Sequence, residues 1–412
     1  MKLILVAGAR PNFMKVAPLI KAIQASNARG QNHIEWRLVH TGQHYDSGMS
    51  EIFFADLGIP APDFNLEVGS GSHATQTANI MKRFEPVLLN AFAPGSSQLS
   101  VVSGPSPDST SHFSPITDQL PSASLPDWVV VVGDVNSTMA CTLVAAKMGV
   151  RTAHVEAGLR SFDRTMPEEI NRIVTDSLAD LLLTPSEDAN ENLRREGIPE
   201  HKTRLVGNIM IDSLLAHLQS TNGEILERLG IADRSFIYVT LHRPSNVDRK
   251  ESLAVIVEEL NRVADEWPVV FPIHPRTRKQ MKDFGLSFQP NTGLKLLDPI
   301  GYRDSIALTQ HARCVLTDSG GLQEESTYFR TPCLTLRPNT ERPITISVGS
   351  NRLTSATALR ADLKRSLRCD ERLGSVPPLW DGKTAERIIG EILKAVSDQK
   401  SEIRNQKSVD RY

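Results

Sequence analysis

Short apolar runs alternate with longer amphipathic stretches along most of the chain. Strand-length runs fall at 2–7, 36–41, 128–133, 152–156 and 181–184 in the first half, and at 203–206, 236–241, 269–273, 294–297, 313–317 and 332–336 in the second. They are rich in Val, Ile and Leu and closed by turn residues, the pattern of strands in a parallel sheet covered on both faces. Helix-length stretches lie between them at 13–26, 73–92, 137–148, 167–180, 186–196, 251–266 and 320–329. Such alternation predicts βαβ units and an α/β fold. With 412 residues, two doubly wound parallel-sheet domains are expected, 1–206 and 207–382. The switch falls near Gly207-Asn208, and a last helix, about 383–398 within the segment 383–412, is expected to cross back onto the first domain.

Segment 94–126 breaks the pattern. More than half of it is Ser, Pro or Gly and it holds no Lys or Arg, so it cannot bury enough apolar surface to offset the entropy of ordering it. It is expected to be a disordered insertion, a tolerated loop in preference to a regulatory one.

Composition then narrows the partners. Lys and Arg number 46 against 48 Asp and Glu, a formal charge of −2, which removes the footprint of a general nucleic-acid binder. Cys141, Cys314, Cys333 and Cys369 show neither metal spacing nor a disulfide framework and suit a reducing compartment. No apolar stretch approaches the ~20 residues of a membrane span. The opening run Met1–Gly8 leads straight into Arg10-Pro11 and lacks the cleavage site of a signal peptide. A cytoplasmic protein with no membrane or nucleic-acid partner is expected.

Chemistry-bearing residues gather after the expected strands. The first ends Gly8-Ala9-Arg10-Pro11-Asn12-Phe13-Met14-Lys15, which is not the Gly-rich dinucleotide fingerprint. Arg10 and Lys15 would suit an anion, most simply a phosphate, and equally a solvated helix start. Asp134 follows the strand at 128–133, Glu156 ends the strand at 152–156, and Pro167-Glu168-Glu169 opens a helix. Taken singly, Asp134 reads as a helix cap and the glutamates as complements to a helix dipole. Three acids at one sheet edge instead suit general acid–base work, since crowded carboxylates shift one another's pKa. No His/Cys set accompanies them as metal ligands, although an all-carboxylate magnesium site stays open.

In the second half, His242-Arg243 and His274-Pro275-Arg276 close neighbouring strands, an edge suited to anions. Thr317-Asp318-Ser319-Gly320-Gly321-Leu322-Gln323-Glu324-Glu325 places two glycines between a strand and a helix. Free backbone amides at a helix start make a seat for a diphosphate, and Glu325, a turn further on, would accept hydrogen bonds from sugar hydroxyls. Together the two halves suit a nucleotide-sugar held in a cleft between domains.

These stretches, with Thr41-Gly42-Gln43-His44, His154 through Arg160, Pro167 through Arg172 and Thr340-Glu341-Arg342-Pro343, resemble the non-hydrolysing UDP-N-acetylglucosamine 2-epimerases over nearly the whole chain. The resemblance implies a GT-B-like fold of two Rossmann-like domains, a homodimer, and interconversion of UDP-GlcNAc and UDP-ManNAc with no nicotinamide or metal cofactor. It matches Asp134, Glu156 and Glu168 to the catalytic carboxylates, with His242 beside them in the chemistry. Arg10, Lys15, Ser319, Gly320, Gly321, Glu325 and Arg342 match substrate- and UDP-binding positions. Gln43 and His44 fall where some members bind a second UDP-GlcNAc as an allosteric activator. The implied chemistry is anti elimination of UDP to a 2-acetamidoglucal and re-addition, leading toward surface polysaccharide. This chain departs from the family pattern at Ser305, near which members often carry an aromatic for the uracil. Rival readings are a 2-epimerase of UDP-2,3-diacetamido-glucuronate, a hydrolysing variant releasing ManNAc and UDP, a GT-B glycosyltransferase and a silent nucleotide-sugar sensor.

Overall fold

The computed structural model describes residues 1–30, 33–42, 58–93, 125–218, 223–290, 293–368 and 374–409, with only the backbone of residues 10 and 399–409. The chain divides into two compact units, Met1–Ile209 with Lys383–Tyr412, and Met210–Gly382.

The first unit carries strands β1 (Lys2–Ala7), β2 (Glu35–His40), β3 (Phe64–Asn65), β4 (Trp128–Val132), β5 (Arg151–Val155), β6 (Leu181–Thr184) and β7 (Thr203–Leu205) in the sheet order β3-β2-β1-β4-β5-β6-β7. Every pairing is parallel. Helices connect them by crossovers, Arg10–Ala28 after β1, Asn136–Lys147 after β4 and Pro167–Leu178 after β5. The strand cores are apolar on both faces: Val129 through Val132 are all buried, as helices packed on each side require. One core cluster joins Ile4, Val6, Val129 and Val131 to Phe84 and Leu88 of helix His73–Asn90. The long helix Thr384–Val409 packs against helix Arg10–Ala28 within this unit.

The second unit repeats the plan. Its strands β8 (Ile237–Thr240), β9 (Val269–Pro272), β10 (Leu294–Leu297), β11 (Cys314–Thr317), β12 (Cys333–Leu336) and β13 (Asn351–Thr354) are ordered β10-β9-β8-β11-β12-β13, again all parallel. In both sheets the order reverses beside the first strand of the unit, between β1 and β4 and between β8 and β11. Both are therefore the doubly wound sheets the alternation predicts.

Two strands escape the hydrophobic pattern. β3 is two residues long, and β13 reads Asn-Arg-Leu-Thr with a partly exposed middle, an edge strand without an apolar run. Helix Pro275–Phe284 is also absent from the expected set because it buries only Thr277 and Met281, too few to mark a period. The expected insertion at 94–126 lies outside the described residues except for its last two positions, and Cys369 lies outside them as well.

Gly158, just past β5, adopts φ +80°, and an added Cβ would stand 2.5 Å from the Ala189 carbonyl oxygen. Both the left-handed backbone and the clash with main chain forbid a side chain there. Gly158→Ala is expected to destabilise the first unit by roughly 2–4 kcal/mol, read as a lowered denaturant midpoint at unchanged m.

Candidate active site

Doubly wound sheets offer ligand sites beyond the carboxyl ends of the strands, where the strand order reverses. In the first unit this is the edge formed after β1 and β4, with β5 alongside. Asn12 anchors it. Its side-chain oxygen accepts the N–H groups of Gly8 and Ala9 at 3.0 and 2.9 Å, and its amide donates to the Val132 carbonyl at 3.0 Å. One helical turn later Lys15, 6% exposed, forms an ion pair with the carboxylate of Glu156, equally buried.

That pair reaches across the tip of β4. A Cβ on Gly133 would lie 2.8 Å from Lys15 Nζ and 3.5 Å from Glu156 Oε2, so a side chain there would crowd the pair. Glu156 itself has φ +74°, a left-handed conformation that is uncommon for a residue with a side chain and costs of order 1–2 kcal/mol. Its N–H donates to the Leu183 carbonyl at 3.0 Å, which fixes the turn.

Asp134 stands next to Gly133 with a third of its side chain exposed, and Arg172 donates to its carboxylate. It caps no helix, because Val135 occupies the N-cap of Asn136–Lys147 and no side chain bonds there. Asn171 holds the Asp134 carbonyl at 2.9 Å. Arg172, almost fully buried, spends its other N–H groups on Glu169 Oε2 at 3.0 and 2.6 Å. Glu169 also accepts from the Ser161 and Phe162 backbones at 3.0 and 2.9 Å. Burial would raise its pKa, but the bonds from Ser161, Arg172 and Phe162 hold it below the usual carboxylate range. The neighbouring acids thus separate in role. Glu169 is an internal clamp, while Glu168 is exposed at the helix start and has no hydrogen-bond or ion-pair partner among the described residues.

In the second unit the corresponding edge follows β8 and β11. Asp318 is fully buried and its oxygens accept the N–H groups of His242 and Arg243 and the Asn246 amide at 2.9–3.1 Å. The His242 ring contacts the same carboxylate through Nδ1 at 3.1 Å. Burial alone would raise the Asp318 pKa, and these partners, His242 foremost, bring it below its ordinary value. With Nδ1–H given to Asp318, Nε2 of the partly exposed ring is left for chemistry.

After β11, helix Gly320–Phe329 begins at Ser319 with no side-chain cap, leaving first-turn amides as an anion seat. Arg342 lies against Gly320: a Cβ there would come within 2.8 Å of the guanidinium and push it aside. Arg342 is held by Glu324 at 2.8 Å and Glu341 at 2.6 Å. Glu341 lies well below the ordinary glutamate range, because Arg342, Arg337 and Arg243 outweigh its burial. Glu325 behaves oppositely. Burial, reinforced by Glu324, pushes it up to about 7 despite a hydrogen bond from the Tyr302 hydroxyl at 2.9 Å. Ser305 is used internally, bonded to the Tyr238 hydroxyl at 2.9 Å.

The structure therefore gathers Lys15, Asp134 and Glu156 on one edge of the first unit, with Glu168 on the helix that brings Arg172 to Asp134. It gathers His242, Ser319, Gly320, Gly321, Glu325 and Arg342 around one edge of the second. The Arg10 side chain, Gln43 and His44 lie outside the described residues. Sequence reasoning did not single out the holders of these groups: Glu169 and Arg172, Asp318 as the partner of His242, and the Glu324–Glu341 pair around Arg342. Only the spacing of Glu169 and Arg172, three apart on one helix, was a usable signal.

A family model described as UDP-N-acetylglucosamine 2-epimerase matches residues 26–94 and 97–393. The UDP-N-acetylglucosamine 2-epimerase of Methanocaldococcus jannaschii is 38% identical over 397 residues, covering 94% of this chain and 98% of that protein. The UDP-2,3-diacetamido-2,3-dideoxy-D-glucuronate 2-epimerase of Pseudomonas aeruginosa is also 38% identical, over 383 residues and 90% and 95% of the two chains. The crystal structure of the M. jannaschii enzyme in complex with UDP-GlcNAc and UDP superposes with a TM-score of 0.78, covering 96% of this chain and all of that one. The two α/β units are those of the GT-B-like epimerases.

Glu325 carries a pH prediction. Unfolded it ionises near 4.5, and folded near 7, so the folded state keeps a proton that the unfolded state loses between these values. Its contribution to stability is full below about pH 4.5 and is lost as pH rises through about 7, by about 3 kcal/mol. The difference in unfolding free energy between wild type and Glu325→Gln, measured at pH 5 and pH 8, is expected to shift by that order in favour of the variant at pH 8.

Proposed function

The chain belongs to the UDP-N-acetylglucosamine 2-epimerase family, and on that premise we propose that it interconverts UDP-GlcNAc and UDP-ManNAc at carbon 2 without hydrolysis. The observation that carries this reading is the edge of the first unit. Glu156, strained and ion-paired to Lys15, stands one strand away from Asp134, itself fixed by Arg172. Inverting one carbon requires a proton to leave one face and another to arrive at the opposite face, so a site needs at least two proton-handling groups.

In the proposed course, a carboxylate takes the carbon-2 proton while the bond from carbon 1 to the diphosphate oxygen breaks. UDP leaves with that electron pair, and the sugar becomes a 2-acetamidoglucal. A proton then returns to the other face of carbon 2 and the UDP oxygen adds back to carbon 1. The carbon-2 proton is unactivated, so the departing diphosphate must be stabilised electrostatically. The uncapped helix start at Ser319-Gly320-Gly321, His242 set by Asp318, and Arg342 supply donors suited to that task, with Arg10 joining them. Asp134, Glu156 and Glu168 are assigned to proton transfer, and Glu325 to the sugar hydroxyls of the nucleotide. On the family resemblance alone, we take the working form to be a homodimer.

The second reading, a 2-epimerase of the diacetamido-glucuronate sugar, is favoured by equal identity to the P. aeruginosa relative. Turnover of the two UDP-sugars compared side by side separates them, and a clear preference for the uronate would replace the first reading.

An NMR time course with UDP-GlcNAc in deuterated water is expected to show UDP-ManNAc labelled at carbon 2. Accumulation of free ManNAc would mark a hydrolase, and an unlabelled product would remove the mechanism. Asp134→Asn, Glu156→Gln and Glu168→Gln are each expected to lower kcat by about 10²–10⁴-fold while UDP binding, measured by calorimetry, stays largely intact.

A further inference from the structure

Between the tips that carry Asp134 and Glu156 lies a buried imidazole ring to which the proposed reaction gives no part. His154, fully buried in β5, is two residues before Glu156, and both of its ring nitrogens are engaged. Nε2 lies 2.8 Å from the Gly133 carbonyl and Nδ1 lies 2.6 Å from Asp176 Oδ1. A carbonyl only accepts, so Nε2 carries a proton. Asp176 also accepts the Gly158 N–H at 3.0 Å and pairs with Arg160 at 2.8 Å. Its partners, His154 and Arg160 among them, hold the Asp176 carboxyl below its ordinary pKa against its burial, and the imidazole is fastened at both nitrogens.

The backbone leaves this bond something to do. The ladder between β4 and β5 runs to Val132 and Val155, and the Gly133 N–H still reaches the Val155 carbonyl at 3.1 Å. At Gly133 the chain turns left-handed, with φ +70°, and its carbonyl leaves the ladder. His154 Nε2 satisfies that carbonyl and so sets the plane of the peptide leading into Asp134. The same ring, through Asp176, is tied to the Gly158 amide on the far side of Glu156. What these two bonds supply is direction.

We propose that His154 is a positioning residue, joining the Gly133 carbonyl to Asp176 so that the tips bearing Asp134 and Glu156 are held in one fixed geometry. This rests on the reading of those two acids as the proton-handling groups.

The test uses two amides. Glutamine at 154 places its NH₂ near the Nε2 position and keeps a donor for Gly133, whereas asparagine reaches only toward Asp176. His154→Asn is expected to lower kcat by about 100-fold, the scale of a misplacement near 1 Å, with KM and UDP affinity within about twofold of wild type. His154→Gln is expected to recover most of that loss at a similar melting temperature. Equal loss of kcat in both variants, or losses of KM and UDP binding that parallel kcat, would overturn the proposal and leave a structural role. If His154→Asn does not fold, His154→Gln against wild type still decides, because a large kcat loss with the Gly133 donor retained defeats the idea. Histidine ¹⁵N shifts of the native chain give a readout independent of turnover, and a ring at 154 without a proton on Nε2 also overturns the proposal. Absence of carbon-2 exchange in the wild type would instead defeat the functional reading and leave the ring measurement standing.

Discussion

Two opposite charges, Lys15 and Glu156, meet over the tip of β4, and much of the first unit's edge follows from allowing them to do so. The pair forms between elements flanking β4 on either side, and a side chain on the residue that follows the strand would crowd it. Gly133 avoids that crowding and turns the chain left-handed before Asp134. Glu156 in turn accepts a backbone conformation that most residues avoid. Such strain persists only where the surroundings over-determine it, and here Lys15, the Leu183 carbonyl and the packing of Gly158 against Ala189 all bear on the same turn.

The second unit solves a different problem with the same topology. Its edge fastens a guanidinium and a basic ring beside a helix start by acids that are themselves held in place. Asp318 does so for His242 by accepting two main-chain N–H groups as well as the ring, so the carboxylate cannot swing away. Glu341 and Glu324 do so for Arg342, and Gly320 gives the guanidinium its room. The contrast within the cluster is set by neighbours: Glu341, ringed by arginines, stays ionised, while Glu325, buried beside another acid and a tyrosine, holds its proton toward neutrality.

Across both units the groups assigned to chemistry are held by others one step behind them. Asp134 depends on Arg172, which depends on Glu169, and Glu169 fastens the Ser161–Phe162 turn. Helix Pro167–Leu178 carries Glu168, Asn171, Arg172 and Asp176, so one element bears on both acid-bearing tips. Precision of this kind is what proton transfer at a single carbon demands, since catalysis by positioned groups falls steeply with misplacement.

The apolar runs by themselves determined the α/β class, nearly every strand and the edge at which Lys15, Asp134, Glu156, His242 and Ser319–Gly321 would sit. Parallel strands buried on both faces leave a strong local mark, and their carboxyl ends share one edge whatever the details. The polar edge strand β13 and the two-residue β3 left no such mark, nor did helix Pro275–Phe284 with its two buried side chains. Which acid of the Glu168-Glu169 pair faces solvent and which becomes a clamp was decided by tertiary structure, because that depends on where Arg172 and the Ser161 turn arrive. The pairing of His154 with Asp176, 22 residues on, and of Asp318 with His242, 76 residues back, was likewise invisible in the chain. Hydrogen bonds between side chains far apart in sequence impose no local period, and only the packed sheet brings their donors and acceptors into reach.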